Sequence, residues 1–174
     1  MKKIAKFAAL VLAGTLLLVM TGCSGAYKGK VKQEIMDQIN ACRAQYDCAP
    51  ITEVAELSAY EDALIYNFHK KQSTAIADDA INWERQKELH DQIPDEWKDD
   101  EGATDTHYFG MMYRETTGEW VLLCEYTTPE MLQAQLRTMW ELTVEDYTAV
   151  GIGVTTVWGR TYWTLRLYCP PLAD

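Results

Sequence analysis

The chain has 174 residues, 26 of them acidic and 16 basic, for a net charge of −10 at neutral pH. That balance argues against nucleic acid as a partner and against electrostatic adhesion to anionic lipid. The length suits one ordinary domain with a single core.

The beginning of the chain reads as an export signal. Lys2, Lys3 and Lys6 precede an apolar run, 7–20, broken only by Gly14 and Thr15. A membrane-spanning helix needs roughly 20 apolar residues, more than this run supplies. Met20-Thr21-Gly22-Cys23 resembles the bacterial lipobox, with methionine in place of the usual leucine. The resemblance implies cleavage before Cys23, acylation of its thiol, and retention on the extracytoplasmic face of the cell membrane. The expected organisation is a signal peptide over 1–22, a lipidated tether over 23–30 and one domain over 31–174. Beyond the leader, 13 basic residues face all 26 acidic ones, so the exported part carries a net charge near −13.

Within 31–46, Ile35, Ile39 and Cys42 recur at helical spacing and predict a first helix, closed by Asp47 and Pro50. Thr52 is expected to cap a second helix, whose apolar positions Val54, Leu57, Leu64, Ile65 and Phe68 run to about His69. A third, more polar helix is predicted over 77–93 on the stripe Ile81, Leu89 and Ile93, with Asp78 and Asp79 at its start. The acidic stretch 95–106 reads as a solvated loop.

The second half changes character. Segments 108–113 and 119–126 are rich in aromatic and branched residues around a Thr116-Thr117-Gly118 turn and predict strands. Thr128, Pro129 and Glu130 form a helix start, followed by Leu132, Leu136, Met139 and Trp140 as a core face. Val150, Ile152 and Val154 alternate with small residues, Gly159 and Arg160 turn the chain, and Trp163, Leu165 and Leu167 share one face of the returning strand. That pattern predicts a β-hairpin, ended by Pro170 and Pro171.

Besides Cys23 the chain holds Cys42, Cys48, Cys124 and Cys169, which in an oxidising compartment allow three disulfide pairings. The reading favours Cys42 with Cys48, flanking a short turn, and Cys124 with Cys169, both in predicted strands. The paired spacing of a zinc site is missing.

Two groups of residues carry a family resemblance. Ile39-Asn40-Ala41-Cys42-Arg43-Ala44, then Ala49-Pro50-Ile51-Thr52 and Leu57, form the first. Tyr126-Thr127-Thr128-Pro129-Glu130, then 147–154 and Tyr162-Trp163-Thr164-Leu165, form the second. Together they cover roughly half of the exported chain. They resemble the opening and closing segments of the CAP superfamily of cysteine-rich secretory, antigen 5 and pathogenesis-related proteins, including bacterial SCP-like domains. The resemblance implies an α+β fold, a three-layer α/β/α sandwich around a central, mainly antiparallel sheet with a C-terminal hairpin. Gly151 and Gly153 would leave room for a bulky neighbour to approach the strand.

The family's cleft commonly carries histidines and glutamates, a set proposed to bind metal. Gly118-Glu119 resembles the start of the family's Gly-Glu-Asn motif, with Trp120 in place of the asparagine. Glu119 is thus a candidate cleft acid, with Glu125 its competitor in another register. His69 falls near the family's first cleft histidine without the following aspartate-glycine, and the second histidine has no counterpart over 137–147. No metal and no cofactor are therefore expected. His107, with Tyr108 and Arg114, is placed at the cleft edge as a ligand contact, and His90 stands alone.

Six tryptophans and ten tyrosines suit contact with carbohydrate or peptide. Trp140 and Trp163 are expected in the core, and Trp83, Trp97 and Trp158 are the candidates for exposure. The serine-nucleophile elbow and the phosphate-binding glycine loops are absent from the sequence. The expected function is a membrane-anchored, non-catalytic module that binds a lipid, a wall glycan or an envelope protein. The alternatives are a metal-dependent hydrolase using Glu119 and a relocated histidine, or an unrelated structural envelope lipoprotein.

Overall fold

A computed structural model describes residues 25–98 and 106–169; the signal sequence, Cys23 and most of the acidic loop lie outside the described residues. The chain forms an α+β domain. Helix α1 spans 25–44. It is followed by β1 (Thr52–Glu53), α2 (Ala55–Lys71), β2 (Ala75–Ala77), α3 (Trp83–Asp91), β3 (Thr106–Phe109), β4 (Met111–Arg114), β5 (Glu119–Leu122), β6 (Glu125–Tyr126), α4 (Pro129–Leu136), β7 (Ala149–Val157) and β8 (Arg160–Tyr168).

The predicted hairpin is the spine of the larger sheet. Strands β7 and β8 pair from Ala149 with Tyr168 to Val157 with Arg160. β1 lies parallel to β7, while β3 and β6 follow one another along the far edge of β8. A smaller antiparallel sheet has the order β2-β5-β4.

Strand alternation divides the hairpin into two unlike faces. Val150, Ile152, Val154, Trp163, Leu165 and Leu167 form one. They pack against Val31, Ile35, Met36 and Ile39 of α1 and Leu132 and Leu136 of α4. The other face is nearly bare at Gly151 and Gly153, and α2 occupies the space. A Cβ on Gly151 would lie 2.6 Å from the carbonyl oxygen of Leu57, and one on Gly153 would lie 2.9 Å from that of Glu61. The expected bulky neighbour is the backbone of a helix.

Helix α2 also closes the strand's unpaired edge. The Ile152 amide donates to Ser58 Oγ at 2.9 Å and the Val154 amide to Asp62 Oδ1 at 3.0 Å. The spacing explains the match. Four helical residues rise about 6 Å and two strand residues about 6.6 Å, so Ser58 and Asp62 meet alternate amides. His69 ends the series, its Nδ1–H donating to the Thr156 carbonyl at 2.7 Å. Lys32 of α1 binds Asp62 at 2.7 Å, tying the helices together.

Several elements depart from the sequence reading. Residues 25–30, expected as tether, form the start of α1, and the Tyr27 hydroxyl accepts from Thr161 Oγ1 at 3.4 Å. Thr52 caps no helix. It pairs with β7 and leaves Val54 at the start of α2. The predicted third helix is divided: its first residue, Ala77, ends strand β2 of the small sheet, Asp78–Ala80 makes a turn of 3₁₀ helix, and α3 begins after Asn82, whose side chain accepts from the Arg85 amide. Trp140 is 68% exposed, because α4 ends at Leu136 and the helical periodicity stops before it. Trp163 is fully buried, as expected. The start of α4 also agrees, with Thr128 Oγ1 accepting from the Met131 amide.

Neither favoured disulfide is formed. Cys42 and Cys48 are buried thiols, and Cys48 turns toward the Thr143 carbonyl, 3.2 Å from its sulfur. Cys124 lies beside Trp163, whose amide donates to the Cys124 carbonyl at 3.0 Å. Cys169 lies just past the end of β8, six residues beyond Trp163, roughly 20 Å away and far beyond disulfide reach.

Two expectations follow. Gly153→Ala is expected to destabilise the fold by about 2–3 kcal/mol, while Gly29→Ala, with nothing within 4 Å, gains up to about 1 kcal/mol from helix propensity. Urea unfolding of both variants checks the contrast, and equal effects would refute it. Burial pushes the Cys124 thiol up to about 11 from 9.0, so its alkylation at pH 8 should run roughly a hundredfold slower than that of an unperturbed thiol. Peptide-level mass spectrometry reads that rate.

Candidate functional site

The four sequence-derived cleft candidates do not meet. His69 is spent on the edge of β7 through Thr156. His107, on β3, places Nε2 3.1 Å from Glu141 Oε1 and its ring beside Phe109. Glu125 makes a two-point ion pair with Arg160 across the β6–β8 pairing, with Oε1 2.8 Å from Arg160 Nε. Glu119 opens β5 opposite Ala77 and Arg114 in the smaller sheet. Among the described residues, no three His, Cys, Asp or Glu side chains gather to hold a metal ion.

A different cavity is present, of about 370 Å³, lined by Tyr60 and Leu64 of α2, Trp83 of α3, Tyr108 of β3, Met111 of β4, Trp120 of β5 and Arg166 of β8. Trp120, the residue after Glu119, forms one wall of it. Its indole donates to Asp78 Oδ1 at 2.7 Å, and its ring meets Trp83 edge-on at 6.2 Å and Tyr113 at 5.2 Å. Strand alternation turns Glu119 to the opposite face of β5, away from Trp120. Tyr108, expected at a cleft edge, does line the cavity; Arg114 does not.

Beneath the aromatic walls lies a buried ion pair. Glu61, fully buried on α2, accepts from Arg166 Nε at 2.7 Å and from Thr164 Oγ1 at 3.4 Å. The guanidinium lies 4.5 Å from the Tyr108 ring centre and 5.4 Å from that of Tyr60. Burial pushes the Glu61 carboxyl up, and Arg166 acts in the opposite direction. Burial likewise raises the phenols of Tyr60, Tyr108 and Tyr168, which keeps them neutral donors. The cavity thus offers flat aromatic walls and a cation whose charge is balanced from behind. It suits recognition of a ring-shaped or acyl ligand with a polar edge.

Glu61 and Arg166 are not among the candidates that the sequence yields. The signal was available in the stripe Leu57, Leu64, Ile65, Phe68, which has room at position 61 for a core residue and holds a carboxylate. A charge on a core face requires a partner, and Arg166 is the strand residue between Leu165 and Leu167. A second cavity, of about 440 Å³, lies between α2 and the start of α3 and is lined mainly by polar residues, among them Asp62, Asn67 and Arg85.

No protein-family model matches the chain, and no curated protein matches it as a relative.

Replacing Glu61 alone by leucine should cost about 3–5 kcal/mol, since Arg166 would stay buried without its carboxylate. Adding Arg166→Met should recover most of that loss. Chemical denaturation of the single and double variants checks it, and a double variant no more stable than the single one would contradict the assignment.

Proposed function

We propose that this chain is a membrane-tethered, non-catalytic ligand-binding module with a divergent CAP-like, three-layer α/β/α fold. The observation that carries the reading is the aromatic cavity over Arg166, set against a candidate catalytic set dispersed into structural bonds. Faces of the hairpin covered by α1 and α4 on one side and by α2 on the other support the layered architecture.

Two residues of the resemblance also take a coherent part. The Asn40 side chain clamps both backbone groups of Ile51, at 2.9 and 3.2 Å. Arg43, 1% exposed, donates to the carbonyls of Ala49, Leu142 and Val144. An asparagine and an arginine on the first helix thus fasten the loops that frame the sheet, a structural reason for that pattern.

The ligand class that the walls favour is a wall glycan unit. Its sugar ring would stack on Trp83 or Trp120 while Arg166 and the neutral Tyr60 phenol meet its hydroxyl or carboxylate edge. Titration of the protein with soluble peptidoglycan disaccharides, followed by tryptophan fluorescence, should give a saturable change. Trp83→Ala with Trp120→Ala should weaken it about tenfold or more, the equivalent of roughly 1.4 kcal/mol. A response that does not saturate, or that survives the double substitution, would remove the glycan reading.

The tether reading rests on Cys23, which lies outside the described residues. No helix among the described residues is long and apolar enough to cross a membrane. In a bacterial expression host, Cys23→Ser should move the protein from the membrane fraction to the soluble fraction and abolish incorporation of labelled palmitate. Membrane retention of the serine variant would sink the anchor.

A further inference from the structure

We infer that the tip of the β7–β8 hairpin is a second membrane contact, with Trp158 seated in the outer-leaflet lipid interface beside the anchor. The inference rests on the acylation of Cys23 proposed above.

Helix α1 is aligned so that its N-terminal end points toward the hairpin tip. Asn40 is bonded at Ile51, Lys32 at Asp62 beside Val154, and Tyr27 at Thr161, which pairs with Thr156. Successive contacts thus climb the hairpin toward its turn as α1 is followed back to its start. Cys23 precedes Tyr27 by four residues, a span of at most roughly 14 Å even when fully extended. Wherever the lipid enters the bilayer, it holds this end of the domain against the surface.

The turn at that end is chemically unusual. Val157 pairs with Arg160, so the loop is the two residues Trp158 and Gly159, with φ of +48° and +78°. Positive φ at both positions is the signature of a type I′ turn, whose first position favours asparagine, aspartate or glycine. Tryptophan there is a backbone outlier, and its ring is 69% exposed. A strained turn that presents a bare indole gains nothing for the fold. An indole is the side chain best suited to the boundary between headgroup and acyl chain, and the exposed ring of Tyr27 lies on the same end. Arg160, next to the indole, is neutralised by Glu125, so the tip makes an aromatic contact rather than an electrostatic one. That fits a chain whose net charge disfavours adhesion to anionic lipid.

The test uses the mature acylated protein reconstituted in phosphatidylcholine vesicles, with and without brominated phosphatidylcholine. Brominated lipid should quench the wild-type fluorescence. Trp158→Phe should remove most of the quenchable signal, and Trp140→Phe, which alters an exposed ring next to the other end of the fold, should leave it intact. Mass spectrometry of the mature N-terminus is read on the same samples. An acylated Cys23 with quenching unchanged in Trp158→Phe would overturn this inference alone. A Cys23 without lipid would overturn it together with the anchor. Quenching that falls when salt is raised to 1 M would replace the aromatic contact with an electrostatic one.

Discussion

The hydrogen bonds from the Ile152 and Val154 amides into Ser58 and Asp62 hold α2 against a strand that two glycines leave bare. A strand edge with unsatisfied amides is costly to bury and invites pairing with another chain. Here the edge is closed by side chains of a helix whose rise nearly matches the strand's repeat. Once α2 is fixed there, Glu61 faces Arg166 and Thr164, Tyr60 and Leu64 become one wall of the aromatic cavity, and His69 falls opposite the Thr156 carbonyl. The cavity is thus a consequence of how the helix seats on β7.

The parts of this fold that were legible in the sequence are those with local causes. The alternation of Val150, Ile152 and Val154 against Trp163, Leu165 and Leu167, the Thr128-Pro129 helix start and the Ile35, Ile39, Cys42 stripe each follow from a short-range rule, and all are present. The glycines at 151 and 153 announced a close neighbour, though not that it would be a helix backbone. What failed depended on distant pairing. Thr52 reads as a helix cap and Ala77 as a helix start because their strand partners, Ala149 and Glu119, lie far along the chain. The pairing of Cys124 with Cys169 failed for the same reason, since only the register of β6 and β8 reveals that they sit beside distant points of β8.

The candidate site was less legible than the fold. His69, His107, Glu119 and Glu125 were chosen for their chemistry, and three of them prove to be engaged in bonds that hold the structure. The residues that shape the cavity are aromatic side chains spread over α2, α3, β3 and β5, with an arginine from β8. No spacing rule in sequence gathers them. Among them the Trp120 indole is braced by Asp78 and faces Trp83. Walls of this kind suit a ligand recognised by shape and apolar surface, with the buried ion pair behind them as a polar feature.

The account turns on α2 closing the edge of β7, and amide hydrogen exchange at Ile152 and Val154 tests it most directly. Both amides should exchange in the wild type only through global unfolding. In Asp62→Ala, Val154 should exchange about tenfold or more faster than the global loss of stability explains, while Ile152 stays held by Ser58. Rapid exchange of both amides in the wild type would show an open edge and contradict the account.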